Sequence, residues 1–483
     1  MLHKLKRWVA PLFGGERPDA SGVQETRREV IDLAWPTAVA MLSDTAMGLI
    51  DTKLVSGLGS AALGGVGIAT TIMWLNYSIV FGIMRGVKVR TSHAVGEGRP
   101  QDGLAYARAG LFLAFLCGTF IWALSRDGTW LFTRLGIDPA TIPYARDFLA
   151  ARTWGAVSIC IISVFVQYRQ GLGDSRSPMV AGILANIVNA VLAWSLIYGR
   201  FGLPALGVRG AGYGTAIAET VEVIFLAWVV LRDRRTSGKV VSLLSMREAV
   251  RQVSTIGLPT GLQFGMEMLA FTAFTAILGG LGTHEIAAHQ IAMTVIRTSF
   301  LPGVAVAEAA SVLVGKSLGE RDLAKADRVT RQSILLAAGF MTICGVAFAL
   351  FGGLIAAQFS GEADVLRVVR RLLLVAALFQ AFDAITIVLR GALRGAKDVR
   401  VVMIIGISVA WVCIPGAAYV FGKSLGLGAV GGWFGFVLET TVASTLFWWR
   451  WTRGSWRDAY AGNPRLAAAP GVAPRLYADG AAA

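Results

Sequence analysis

Long apolar runs recur along this chain, separated by short polar turns, and few polar side chains interrupt them. Stretches such as AVLAWSLIY, ILLAAGFMTICGVAFALFGG and VVMIIGISVAWVCIPGAAYVF approach the roughly 20 apolar residues that cross a bilayer as one helix. Reading hydropathy along the chain predicts twelve spans, near 30–54, 62–84, 105–124, 148–166, 180–198, 213–231, 258–278, 287–310, 333–351, 372–389, 401–421 and 433–449. The predicted fold class is an all-α polytopic membrane protein.

Composition strengthens that reading. Hydrophobic residues make up 55% of the 483 and charged ones 16%, with mean hydropathy +0.61, whereas soluble chains carry about a quarter charged residues. The formal net charge of +15 would point to nucleic acid in a soluble protein. Here most Lys and Arg fall in the loops on one side of the predicted spans. The positive-inside rule therefore places both termini in the cytoplasm of an inner-membrane, multi-pass protein, with no nucleic-acid partner. Residues 1–29 read as a basic cytoplasmic leader rather than a signal peptide, and 452–483, rich in Ala, Pro and Gly, as a disordered, functionally silent tail. Cys117, Cys160, Cys344 and Cys413 lie in apolar runs with no CxxC spacing and read as packing residues.

The chain also repeats itself. Pro36 is followed by Gly59 at the same spacing as Pro259 is by Gly282. GLGDSRSPM echoes LRGAKDVRVVM, aligning Asp174 with Asp398, AET at 218–220 echoes LET at 438–440, and VGEGR echoes VGKSLGER, all at nearly one displacement. Two parallel six-helix repeats around a central cavity are expected, as lobes at 30–231 and 258–451. A cytoplasmic linker at 232–257 joins them, in which SLLSMREAVRQV lies as an interfacial helix. Such a repeat favours a transporter that rocks one lobe against the other.

Eight acids fall within the spans: Asp44, Asp51, Glu219, Glu222, Glu267, Glu308, Asp383 and Glu439. Each costs about 2.5 kcal/mol or more at a helix centre, so their retention points to proton or cation handling. Glu267 sits one turn after Gln263 on one face of span 7, and Asp383 lies mid-span. Together they could bind one cation (Na⁺ as the metal) or share a proton; hydrogen bonding between helices is the alternative. Asn186 and Asn189, a turn apart, present amides to a cavity or to neighbouring helices. Glu219, Glu222 and Glu439 suit helix packing as well as function, and Glu308 reads as solvated near a span's end. Met41, Met47, Phe264, Met266 and Phe271 could line a substrate cavity, methionine being adaptable in shape, but packing in the core or against lipid is the default for any one of them. Seven residues along a helix return nearly to the same face, so Asp44 and Asp51 share one side of span 1. Asp44 lies eight residues after Pro36 as Glu267 lies eight after Pro259, which makes the two internal counterparts.

Enzyme motifs are missing or misplaced. GLGAVG at 426–431 has no preceding strand, the four histidines make no metal-binding spacing, and there is no Walker A sequence. No cofactor is expected beyond a coupling ion.

The chain resembles the multidrug and toxic compound extrusion (MATE) family, and more closely its DinF-like branch. The resemblance rests on AWPTAVAMLSDTAMGLIDTKLVSGLGSAALGG, QGLGDSRSPM, LPALGVRGAGYGTAIAE, GLPTGLQFGMEMLAF, LGGLGTHEIAAHQIA, AVAEAASVLVGKSLGERD and LRGALRGAKD, over about 28–450. It implies antiport of amphipathic, often cationic small molecules against H⁺ or Na⁺ by a monomer in contact with membrane lipid. Asp51 matches the family's xDT acid; Glu267 and Asp383 match its cation-site acids. Some relatives carry an acid four residues after the asparagine that is here Asn189, and this chain has Ala193 there, so Asp51 is expected to work with Asn186, Asn189 or Asp44. The expected substrate cavity includes Asp44, Asn186, Asn189, Gln263 and Met266. A flippase for lipid-linked oligosaccharides or cell-wall precursors is the alternative, but it calls for a basic cavity and the embedded charges are mostly acidic.

Overall fold

The computed structural model describes residues 20–125, 129–134, 137–233, 244–359 and 361–460. Twelve of its helices are long and apolar enough to cross a membrane. They are α1 (Ala20–Ser56), α2 (Ser60–Gly96), α3 (Pro100–Ser125), α4 (Ile142–Gly171), α5 (Arg176–Tyr198), α6 (Val208–Arg232), α7 (Met246–Gly279), α8 (Thr283–Gly319), α9 (Leu323–Ala356), α10 (Ala363–Gly395), α11 (Val399–Ser424) and α12 (Gly428–Arg453). Pro36 and Pro259 lie inside α1 and α7. Pro415 lies near the end of α11, which widens to a π-helix at Ala418–Ser424.

Each predicted span is a helix, but most helices outrun their apolar windows, chiefly at the end that carries Ala20 and Tyr460. α2 continues from the expected limit near residue 84 to Gly96, and α8 from 310 to Gly319. A hydropathy window stops at the first charges; the helix continues because those charges find partners across the bundle. Three expected boundaries change for the same reason. The described part of the leader, 20–29, is the opening of α1. Within the expected linker, 246–257 is not an interfacial helix but the start of α7, where the Ser245 side chain accepts the Glu248 backbone N–H; 234–243 lie outside the described residues. The tail is ordered through Tyr460: Trp456 packs on Trp451 with ring centres 4.5 Å apart, and Arg457 pairs with Asp327 at 2.5 Å. Residues 461–483 lie outside the described residues.

Helix packing repeats as the sequence does. α1 packs on α5, α2 on α3 and α4, α3 on α4, α4 on α6, and α5 on α6; each pair recurs six helices later, as α7 on α11 through α11 on α12. The halves meet through α2 on α7, α1 on α8, and α2 on α8. The first two pairs become one another when the halves are exchanged. Glycine allows the crossing: a Cβ at Gly86 would lie 2.3 Å from the Val253 carbonyl oxygen, and one at Gly257 2.2 Å from that of Ile83. Hydrogen bonds and ion pairs between the halves, among them Glu29 with Lys325, Arg90 with Gln252, and His93 with Gly395, gather toward the end bearing the termini. The halves are joined there.

Candidate functional site

In the first half, α1 presents its two acids to asparagines on α5. Asn186 Nδ2 donates to Asp44 Oδ1 and to Ser43 Oγ, both at 3.0 Å. Asn189 Nδ2 donates to the two oxygens of Asp51 at 3.3 and 3.2 Å. Glu222 stands near Asp44: an oxygen of each lies 4.0 Å from where a Cβ on Gly182 would be. A step further in, Arg152 of α4 holds Glu219 of α6 through two hydrogen bonds, one of 2.8 Å, and lies within electrostatic reach of Asp51.

The second half is built around arginine. Glu267 accepts from Gln263 Nε2 at 2.8 Å and from Arg390 Nη1 at 3.1 Å. The other nitrogen of Arg390 faces Glu439 at 3.6 Å, and Asp383 lies within reach of the same guanidinium. Arg394, one turn after Arg390, donates to Gln263 Oε1 at 3.1 Å. From sequence, Glu267 and Asp383 could bind one cation, share a proton or serve as polar contacts between helices. The structure places Arg390 among Glu267, Glu439 and Asp383.

A third cluster joins the halves. Glu308 of α8 pairs with Arg85 at 2.6 Å and with Lys88, both from α2. Lys88 is 1% exposed. Phe264 lies between Arg85 and Arg394, its ring centre 4.5 and 4.9 Å from their guanidinium carbons. Arg85, Lys88, Thr260, Glu308, Ser311 and Arg394 border an enclosed cavity of about 10 Å³, close to the space one water needs. Glu308 is therefore buried and doubly paired rather than solvated.

Other expectations are also revised. Asn189 and Gln263, placed in the cavity wall by sequence, are 3% and 0% exposed and stand behind the carboxylates they hold. Met266 is half-buried, and its carbonyl accepts from Trp411 Nε1 at 3.0 Å. Met47 is buried, and Phe271 stacks on Phe436 at 5.8 Å, so both are packing residues. Sequence reading missed Arg85, Lys88, Arg152, Arg390 and Arg394. A signal for Arg390 was present: it follows Asp383 by two turns on the same face. Among the described residues no three His, Cys, Asp or Glu side chains group as metal ligands.

The MatE family model matches this chain twice, over residues 36–195 and 259–419. The two matches begin at Pro36 and Pro259, the same pair of positions that opens the internal repeat. The multidrug resistance protein MdtK of Yersinia enterocolitica (serotype O:8 / biotype 1B) is 30% identical over 433 residues, 87% of this chain and 93% of that one. The probable multidrug resistance protein NorM of Xylella fastidiosa (strain 9a5c) is 29% identical over 442 residues, 90% and 94% of the two chains. Among solved structures, a MATE protein in the bent conformation superposes with TM-score 0.82 at 23% identity, covering 91% of this chain and 99% of that one. The eukaryotic MATE transporter AtDTX14 superposes with TM-score 0.82 at 17% identity, covering 91% and 98%; both show the shared fold. Repeat, fold and relatives together define a polytopic membrane transporter. The chain belongs to the MatE family of multidrug efflux transporters.

Proposed function

We propose that this protein is a secondary-active exporter of amphipathic, cationic small molecules from the cytoplasm, driven by inward flow of H⁺. The observation that carries the reading is the group of first-half carboxylates, of which Asp44 and Asp51 are held by neutral asparagine amides. In the second half Glu267, Glu439 and Asp383 share Arg390, and Arg394 and Arg85 also lie within electrostatic reach of Glu267. In the first half, Arg152 holds Glu219 and lies within reach of Asp51, while Glu222 stands near Asp44 and Glu219. With the termini cytoplasmic, in the inner membrane, the joined end closes the cytoplasmic side and the cavity opens outward.

Asp51 is the better proton carrier. Protonating it costs hydrogen bonds from a neutral amide and a longer-range attraction to Arg152, whereas protonating Glu267 dissolves a direct ion pair inside the bundle. The second-half carboxylates then form the cation-holding side of the cavity, with Asp44, Asn186 and Met266 opposite or beside them. Protons and substrate compete for carboxylates, and each biases the two-state equilibrium oppositely, which couples the fluxes. Na⁺ held by Glu267 and Asp383 remains the rival coupling scheme; it would have to displace Arg390 from Glu267.

The test is efflux of a cationic dye from vesicles carrying the purified protein, under an imposed pH gradient or an imposed Na⁺ gradient. Efflux driven by the pH gradient alone is expected. Efflux that follows only Na⁺ replaces the proton scheme, and efflux with neither gradient overturns the antiport reading.

A further inference from the structure

A cavity of about 740 Å³ opens at the end bearing the termini, bounded by the first turns of α1, the α4–α5 turn and the last turns of α6 and α8. Charged side chains of both signs line it, but its acids are already answered. Arg169 holds both Asp174 and Asp233, Arg28 approaches Asp32 at 3.9 Å, and Lys325 approaches Glu29 at 4.0 Å. Arg176 and Arg232 line the same cavity, are exposed, and have no anionic partner among the described residues. Each lies over an indole: Arg176 5.9 Å from the Trp35 ring centre, and Arg232 4.7 Å from that of Trp228. Trp35 and Trp228 are themselves 41% and 49% exposed, and Ile31, Val180 and Leu231 are exposed on the same helix ends.

We propose that this cavity binds an anionic phospholipid from the leaflet at the termini end, its phosphate taken by Arg176 and Arg232. The two guanidiniums supply unspent positive charge at the depth where headgroups lie, the usual setting for basic pockets between membrane helices. The indoles mark the same depth, because tryptophan concentrates at the membrane–water boundary. The exposed aliphatic side chains on adjoining turns offer the acyl chains a path that a soluble anion would not need. A zwitterionic headgroup brings no net charge to the arginines, so selection is for the anionic class. Val312, Leu313 and Lys316 of the second half close a cavity whose other walls belong to the first; a bound lipid therefore touches both halves where they are joined. The inference needs only membrane embedding and is independent of the antiport reading.

Native mass spectrometry of the full chain released from mixed phosphatidylglycerol–phosphatidylcholine nanodiscs tests it. Wild type should retain phosphatidylglycerol over phosphatidylcholine, and Arg176→Gln/Arg232→Gln should retain about tenfold less of it. Arg453→Gln, on α12 at the same end, should behave as wild type. Should the double variant melt early, the single variants R176Q and R232Q serve instead, each with about threefold loss. Soluble glycerol phosphate should neither displace the lipid nor raise the melting temperature. Equal retention of the two lipids, undiminished retention by the variants, an equal loss with R453Q, or displacement by glycerol phosphate would each overturn the proposal.

Discussion

The two halves share a helix-packing plan and differ in how they hold their acids. In the first, Asp44 and Asp51 rest on the neutral amides of Asn186 and Asn189. In the second, Glu267 rests on Gln263 and on Arg390, which also serves Glu439. Glu219 and Glu439 are repeat counterparts, in AET and LET, and each pairs with an arginine of the matching helix, α4 or α10. Those arginines, Arg152 and Arg390, stand about four turns out of register with one another. The scaffold has kept its repeat while the counter-charges have moved. One half is thereby suited to exchange a proton cheaply, the other to hold or release a cation against a built-in competitor.

Where the halves meet, the difference is greatest. Lys88 on α2 and Glu308 on α8 occupy near-equivalent positions of the two repeats, yet they touch, one cationic and one anionic. Breaking this pair should give the largest effect. Glu308→Ala leaves Lys88 and Arg85 buried without an acid and should cost about 3–5 kcal/mol. It should lower the melting temperature and, in spin-label distances across the open end, move the population away from this arrangement. Lys88→Met/Glu308→Met should recover only part of the loss, since Arg85 still loses its acid. A single variant as stable as wild type would show that the halves are held by the glycine crossings and the other contacts at the termini end, not by this cluster.

The next contrast separates the acids. Asp51→Asn should reduce gradient-driven dye efflux about a hundredfold, because the group proposed to carry the proton can no longer accept one. Glu267→Gln leaves Arg390 with Glu439 and should act mainly on the cation, raising the apparent KM about tenfold, the scale of one charge-assisted contact. Asn189→Ala and Gln263→Ala should follow at a few-fold each, by loosening the acids they hold. If Asp51→Asn changed only KM and Glu267→Gln only the coupling, the roles assigned to the halves would be reversed.

Much of this was legible in sequence, and the reason it stopped where it did is physical. Apolar length gives the spans, and the displacement from Pro36 to Pro259 gives the repeat, because helix and repeat are properties of the local chain. Acids are conspicuous in an apolar run. Arginines near span ends are not: Arg85, Lys88, Arg390 and Arg394 sit where a hydropathy reading assigns charge to the water. Only the continuation of α2 and α10 to Gly96 and Gly395 buries them. Glu308 was misjudged for the same reason, its partners lying on α2, in the other half.

The smallest expected difference is between the repeated turns before α5 and α11. Asp174 accepts the backbone N–H groups of Arg176 and Ser177, both at 3.0 Å, and the Ser177 hydroxyl at 2.5 Å, besides pairing with Arg169. Its counterpart Asp398 pairs with Arg450 at 2.5 and 3.1 Å. Burial works against ionisation of Asp174, but the bonds from Ser177 and the Arg169 guanidinium outweigh it and hold the carboxyl below its ordinary value. A group depressed in this way stabilises the fold above its unfolded-state pKa, and the contribution is lost as pH falls through the folded value. Asp174→Asn should therefore cost about 1–2 kcal/mol at neutral pH, the scale of its charge-assisted bonds. The gap between variant and wild-type melting temperatures should close as the pH drops below about 4. A gap that persisted in acid would mean that Asp174 acts through the shape of the turn rather than its charge. The two turns would then be equivalent in the way their sequences imply.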